Sequence, residues 1–158
     1  AIPIGSLSSY MDHVKKLIPG KNAQRKIKKH VTKHLKAAQL KLPPHPPIIH
    51  GVGGTMRAAR KLIDQTLDPY AAVPISLSHL KPLISFIASK DKDAYLKLIR
   101  TVPERIHTIG TGLVILDAIQ EYFQATHVRV FTQGVREGFI IQHLETDFPD
   151  LKPLTLKL

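Results

Sequence analysis

Apolar residues recur along much of this chain at intervals of three and four, the spacing that places side chains on one face of an α-helix. The clearest example is the segment 21–40, in which Ile27, Val31, Leu35 and Ala38 form one apolar stripe. Similar spacing, or residues that start and stop helices, predicts further helices over 6–18, 56–65, 78–89, 91–100, 104–124 and 135–144.

Short apolar runs between the predicted helices indicate strands. The run 48–55 ends in glycines, the run 128–131 contains two valines, and the first five residues resemble the end of a strand. Strand and helix therefore alternate along the chain. This order predicts an α/β fold in which helices cover a short, largely parallel sheet of three strands, with an all-helical insert at about 69–103.

The length of 158 residues is enough for one domain with a hydrophobic core. We expect that domain over 1–146, followed by a loose tail over 147–158 that contains two prolines. A sheet of three strands is thin, and the chain begins Ala1-Ile2-Pro3 without a methionine. Both features favour a piece of a longer protein whose preceding strands are missing.

The composition excludes several classes of protein. Hydrophobic residues are 43% and charged residues 22%, which is typical of globular rather than disordered chains. No apolar run approaches the roughly 18 residues of a membrane-spanning helix, so we expect no membrane segment and a cytoplasmic protein. Cysteine is absent, which excludes disulfides and cysteine nucleophiles, and the lack of tryptophan argues against a platform for stacking bases.

The positive charge is concentrated in one third of the chain. Lysine and arginine total 23 against 12 acidic residues, a net charge of +11, and no acid lies between Asp12 and Asp64. Such a segment attracts polyanions: nucleic acid, acidic lipid surfaces or phosphate-rich small molecules. Composition does not choose among them, and a basic helix kept for solubility is the simpler alternative. The helix 21–40 carries a basic patch formed by Arg25, Lys26, Lys29, Lys33 and Lys36.

A glycine-rich turn at 51–55 is the best local signal for a binding site. It lies between a predicted strand and a predicted helix, where free N–H groups favour phosphate and glycines allow close approach. Met56 stands where a dinucleotide fingerprint has its third glycine, and a Walker A lysine is absent. A tight structural turn would explain the glycines equally well. The cations that follow at once, Arg57, Arg60 and Lys61, favour an anion site.

Two other positions carry candidate chemistry. Arg105 follows a proline at a helix start, where a positive charge is electrostatically misplaced, so it either serves an anion or is simply solvated. Arg136 and Glu137 follow a second turn, where they could pair with each other and contact a ligand or the neighbouring turn, and a structural role is favoured over a catalytic one. His30 and His34 have metal-binding spacing, but the lysines around them would repel a cation, so no metal site is predicted.

Four segments, in order, resemble motifs of the Ppx/GppA phosphatases. The run 51–58 is similar to that family's Gly-x-x-Gly-Thr-x-x-Ala turn. The segment 103–116 resembles Pro-x-Arg-x-x-x-Ile-x-x-Gly-x-x-Ile-Leu, and 130–138 resembles Val-Ser-x-x-Gly-x-Arg-Glu-Gly, with Phe131 in place of the serine. Residues 2–7 resemble the strand end that precedes a long helix in the family.

The resemblance implies an actin-like ATPase (ribonuclease H-like) fold, of which this chain would be the C-terminal part of the second domain. It implies hydrolysis of inorganic polyphosphate or guanosine pentaphosphate, with magnesium held by residues outside this chain. No catalytic residue is assigned, because the family's first-domain phosphate loop, catalytic glutamate and Asp-x-Gly-Gly-Gly-Ser loop have no counterpart here. Implied phosphate-binding residues are Gly53, Gly54, Thr55, Arg57 and Arg105, above a cleft floor of Arg136 and Glu137.

Three hypotheses follow. In the first, the chain is part of a phosphohydrolase that is inactive without the missing N-terminal domain. In the second, it is a non-enzymatic module that binds polyanions or nucleic acid through the helix 21–40. In the third, it is a structural fragment that forms a homodimer through an unpaired sheet edge.

Overall fold

The computed structural model describes residues 1–41, 44–66, 75–89 and 91–147. The order of elements in these ranges follows the predicted alternation from the second predicted strand onward. The elements are α1 (Ser6–His13), α2 (Lys21–Ala37), β1 (Ile48–Val52), α3 (Gly54–Thr66), β2 (Ile75–Ser76), α4 (Leu77–Ala88), α5 (Lys92–Thr101), a 3₁₀ turn (Pro103–Arg105), α6 (Ile109–Phe123), β3 (His127–Phe131) and α7 (Val135–Asp147).

The three strands form one sheet in the order β1-β3-β2. β1 pairs with β3 in parallel, with Gly51 opposite Val130 and Val52 opposite Phe131. β2 pairs with β3 in antiparallel register, with Ile75 opposite Val128. Because β1 and β3 are parallel, their carboxyl ends meet at one edge of the sheet, and α3 and α7 both begin there.

Helix α6 is the centre of the packing. Its buried residues include Ile109, Leu113 and Leu116, which join the core shared by α3, α4 and the sheet. On another side of α6, Val114 and Ala118 join a second core with the predicted stripe of α2, in which Ile27, Val31 and Leu35 are all buried. A helix that is apolar on so many sides fits only where other helices surround it.

A charged network also ties α2 and α4 to α6. The ammonium of Lys28 forms an ion pair with Asp117, whose side chain is only 4% exposed, and lies 3.1 Å from Glu121. Lys81 of α4 lies 3.5 Å from the same glutamate. Burial acts to lower the pKa of Lys28, but its hydrogen bonds to Asp117 and Glu121 outweigh burial and raise that pKa above its ordinary value.

Several predicted boundaries are wrong. Residues 1–5 form no strand, because the N–H of Ile4 bonds locally to the carbonyl of Ile2 at 2.8 Å. The third strand is instead the two-residue β2, inside the insert that was predicted to be all-helical. α1 ends at His13 rather than at residue 18, and the helix predicted over 104–124 begins only at Ile109, after a 3₁₀ turn. The tail beyond Asp147 and residues 67–74 of the insert lie outside the described residues.

We predict that Lys28→Met lowers the free energy of unfolding by about 2 kcal/mol, because it leaves the carboxylate of Asp117 buried without its partner. Urea denaturation monitored by circular dichroism measures the loss. Lys29→Met, on the exposed side of the same helix, is the control and should shift stability by no more than about 0.5 kcal/mol. A double variant Lys28→Met/Asp117→Leu should recover much of the loss. Equal effects of the two single variants would contradict the role of the buried pair.

Candidate anion-binding site

The turn between β1 and α3 needs its glycines for backbone reasons. Gly53 has φ +107°, a conformation that other residues rarely adopt. Gly51 lies buried in β1, and a Cβ atom there would lie 2.8 Å from Cγ of Met56. The turn is therefore tight, as the simpler interpretation of its glycines expected, and it brings the first turn of α3 to the carboxyl edge of the sheet.

Position 54 requires a glycine for a different reason. A Cβ atom at this position would overlap the guanidinium of Arg105, whose Cζ atom would lie at 2.6 Å. The guanidinium is therefore held directly against the amino end of α3. The first N–H groups of a helix have no intrahelical acceptor and carry partial positive charge. The guanidinium and the helix amino end are both positive and repel each other. An anion bound between or beside them would relieve that repulsion.

A pocket of about 180 Å³ opens beside this contact. Arg57 and Lys61 lie on its α3 side, one turn apart, and Arg105 closes it from the 3₁₀ turn. Glu104 is the single acidic residue among the described residues that line it. The structure thus brings together Gly54, Arg57 and Arg105, three of the residues predicted to bind phosphate. Lys61 joins them because positions 54, 57, 58 and 61 share one face of α3.

The neighbouring candidates have other contacts. Arg60 forms an ion pair with Asp64 at 2.9 Å, one turn along α3. Nη1 of Arg57 donates to the carbonyl of Thr132 at 3.2 Å, which links α3 to the segment after β3. Thr55 directs its methyl group at α6, where a Cβ atom at Gly112 would overlap it. Thr55 therefore contributes helix packing, while its backbone stays in the first turn of α3.

The amino ends of four helices meet around α6. Thr55 of α3 contacts Gly112, and the carbonyl of Ser6, the first residue of α1, accepts a hydrogen bond from Thr111 at 2.8 Å. Pro19, just before α2, packs on Gly110, where a Cβ atom would lie 2.6 Å from its ring. None of these four helices has an acidic residue in its first turn. The result is a strongly positive end of the domain.

Arg136 and Glu137 do not form the predicted pair. Oε2 of Glu137 accepts the N–H of Gly134 at 2.6 Å, three residues earlier, as a side chain at the third position of a helix commonly does. Within the described ranges no ion pair joins it to Arg136, which is exposed. The N–H groups of Glu137 itself and of Gly134 lower the pKa of this carboxyl below its ordinary value, with the Arg136 charge adding to the effect.

The basic patch of α2 is exposed to solvent along its whole length. Lys28 is turned away from it into the network with Asp117. His30 and His34 stack with their ring centres 4.3 Å apart, and burial, followed by the charge of His34, lowers the pKa of His30. Among the described residues no group of three or more His, Cys, Asp or Glu side chains could hold a metal ion.

Comparison with known proteins places these features in a family. The family model that matches residues 2–147 is that of the Ppx/GppA phosphatase family. A search of curated proteins finds no match. Among solved structures, the Aquifex aeolicus member of the Ppx/GppA family superposes with a TM-score of 0.72 at 19% identity, over 93% of this chain and 48% of that one. A further structure, of the Aquifex aeolicus PPX-GPPA enzyme, gives 0.70 at 20%, over 89% and 48%.

The likeness to the solved structures confirms the predicted α/β fold as that of actin-like ATPases. This chain spans about half the length of those relatives. All four motif segments of the sequence lie at the positive end just described: residues 2–7 beside α6, 51–58 at the start of α3, 103–116 at the start of α6, and 130–138 beside Arg57. Residues far apart in the chain therefore form one surface.

We predict that Gly54→Ala weakens binding of inorganic tripolyphosphate about tenfold, because the new methyl group displaces the Arg105 guanidinium from the helix end. Isothermal titration calorimetry measures the affinity. Gly138→Ala is the matched control, since a Cβ atom there meets nothing within 4 Å. Alanine favours helix over glycine, so Gly54→Ala should not lower the melting temperature. Unchanged binding would contradict a role for this contact.

We predict that Glu137→Gln lowers the melting temperature at pH 7 and does so by less at pH 3. The carboxyl has a lowered pKa in the folded state, so its contribution is present above its unfolded pKa and is lost as the pH falls through the folded value. Scanning calorimetry at both pH values tests this. Glu104→Gln, also an exposed acid that begins a helical turn, serves as the comparison. A destabilisation as large at pH 3 as at pH 7 would contradict the assignment to the charged carboxylate.

Proposed function

Because this chain belongs to the Ppx/GppA phosphatase family, we propose that it forms the phosphate-binding wall of a phosphohydrolase. The substrates that we propose are inorganic polyphosphate and guanosine pentaphosphate, from which a terminal phosphate is released. The observation that carries this proposal is the contact of the Arg105 guanidinium with the amino end of α3 at Gly54.

The wall has the groups that a phosphoanhydride needs in the transition state. Charge builds up on the oxygens of the transferred and leaving phosphates, and catalysis of this reaction depends mainly on positioning and electrostatic stabilisation. Arg105 and the first N–H groups of α3 would bind two phosphate oxygens in fixed geometry. Arg57 and Lys61 line the same pocket and would neutralise the next phosphate along the chain.

Activation of the attacking water needs a carboxylate, and this wall does not provide a suitable one. Glu104 is exposed at the rim of the pocket, and the described lining contains no other acid. We propose that the catalytic carboxylate comes from a preceding N-terminal domain, since the solved relatives are about twice as long as this chain. On this proposal the 158 residues alone are inactive.

Magnesium is part of the proposal only for the complete enzyme. A magnesium ion would neutralise phosphate charge and orient the chain of phosphates. The described residues near Gly54 offer Glu104 alone, and oxygen-rich coordination needs more ligands than that. The residues present therefore do not fit a magnesium site, and we assign no step of the reaction to it here.

Binding of polyanions or nucleic acid without catalysis is the second candidate. It is favoured by the exposure of the five cations of the basic patch along α2. Such binding would depend on the number of phosphates contacted and would fall steeply with salt.

The sheet edge and the cellular location complete the proposal. Among the described residues β1 pairs only with β3, and it carries exposed apolar residues, Ile48 and Val52, so its other edge suits a preceding domain or a second copy in a homodimer. The helices in the described ranges include none with the length and apolarity needed to cross a membrane. We propose a cytoplasmic protein.

We predict that Arg105→Ala weakens tripolyphosphate binding by about tenfold at fixed salt, while Lys29→Gln/Lys33→Gln on the basic patch weakens it less than about twofold. Titrations at two salt concentrations separate specific from diffuse binding. The reverse ranking would favour the second candidate.

Phosphate release from polyphosphate with magnesium tests catalysis directly. The 158-residue chain should release none, and a form extended to the length of the solved relatives should release phosphate that depends on Arg105. Release by the short chain would overturn the division of the site between two domains. Release by neither form, with salt-sensitive binding, would overturn the enzyme proposal.

A further inference from the structure

A second pocket, separate from the one at Gly54, lies where α1 is followed by α2. Its volume is about 590 Å³, which is within the range of small-molecule sites. Four lysines stand around it, two before α2 and two in its first turns: Lys15, Lys16, Lys21 and Lys26. None of the four has an acidic partner within 4 Å among the described residues, and all four are exposed.

One of the lysines, Lys21, occupies a position that helix electrostatics disfavours. Lys21 begins α2, whose first turn has no acid and whose preceding residue, Gly20, provides no side-chain cap. Cations at a helix amino end are unfavourable, because the first N–H groups already carry partial positive charge. Natural sequences depart from such local preferences mostly at functional or strained sites. The requirement here would be an anion with several charges.

The floor of the pocket differs from its rim. Ile18 is 8% exposed, and Val14 and Ala23 are half-buried, so the lining of the pocket combines an apolar surface with the four lysines. Inorganic phosphate or polyphosphate would leave this surface without a partner. A ligand with an apolar, flat body and a phosphorylated end would contact both parts.

Asn22 supplies a directional group at the same place. His13 also lines the pocket, but its Nε2 atom is inaccessible to solvent and has no hydrogen-bond partner among the described residues. Asn22, exposed in the first turn of α2, has an amide that can both donate and accept. A purely ionic site would have no use for this amide, whereas a heterocyclic base has donors and acceptors for it.

We propose that this pocket binds a nucleoside oligophosphate, with the phosphates on the four lysines and the base over Val14, Ile18 and Ala23. The site shares no lining residue with the pocket of Gly54 and Arg105. It lies at the same positive end of the domain, because Pro19 packs on Gly110 in the first turn of α6. The proposal does not depend on hydrolysis by this protein.

Calorimetric titration of ATP and of tripolyphosphate into the full chain tests the proposal. All proteins carry Arg105→Ala, so that the pocket at Gly54 contributes little to the signal. Lys16→Gln/Lys21→Gln should weaken binding of ATP about tenfold, because two charge-assisted contacts to phosphate are lost. The control Lys36→Gln/Lys41→Gln removes the same charge from exposed positions outside the pocket and should change the affinity less than about twofold.

A substitution in the apolar floor of the pocket tests whether the ligand carries a nucleoside. Ala23→Leu fills the space above Ile18 and should weaken ATP about tenfold while tripolyphosphate changes less than about twofold. Circular dichroism confirms that the helices persist. Equal effects of the two lysine double variants on ATP affinity would show a diffuse electrostatic attraction and would overturn binding in this pocket. Equal affinities for ATP and tripolyphosphate, both unchanged by Ala23→Leu, would overturn the claim that the pocket recognises a nucleoside. Absence of any ATP binding would overturn the whole proposal.

Discussion

The close approach of neighbouring helices to the amino end of α6 is the constraint on which the rest of this structure depends. Gly110 and Gly112 lack the Cβ atoms that would overlap Pro19 and Thr55. Because α6 is buried along most of its length between two cores, every neighbouring element takes its position from it. Two glycines, two residues apart and therefore on nearly opposite faces of α6, thereby bring α2 and α3 to the same end as α6, and with them the residues that form both pockets.

That arrangement has an electrostatic cost. Helix amino ends repel one another and usually carry acids in the first turn, and the four that meet here carry none. The contacts that oppose this repulsion lie further along the helices. The stripe of Ile27, Val31 and Leu35 packs on α6, and Lys28 pairs with Asp117, the one buried acid of the described core. The attractive contacts lie away from the positive end, so the end itself stays open to anions.

The sequence predicts helices better than strands here, for a physical reason. The stripe of α2 repeats within a single segment, so local spacing suffices to find it. A strand exists only when it has a partner, and neither the absence of a strand in residues 1–5 nor the pairing of Ile75 with Val128 is encoded in its own neighbours. The start of α6 at Ile109 was missed because Pro103 also starts the 3₁₀ turn that precedes it.

The same distinction applies to the site. Gly54, Arg57 and Lys61 lie on one helix and could be grouped by their spacing. The approach of Arg105 to Gly54 joins residues 51 positions apart, which only the resemblance to the family anticipated. Glu137 was assigned the wrong partner, although its place three residues after Gly134 is a capping signal that local reasoning could have used.

The scarcity of carboxylates on the positive end agrees with a site divided between two domains. A carboxylate placed on the same wall as the N–H groups of α3 and Arg105 would bind them itself whenever phosphate was absent, and would repel phosphate on arrival. Holding the water-activating acid on a separate domain avoids both effects. In the proposed complete enzyme, domain closure would bring the acid to the phosphate only after the cations have neutralised much of the phosphate charge. The segregation of charge in the sequence, with no acid between Asp12 and Asp64, is what such a wall requires.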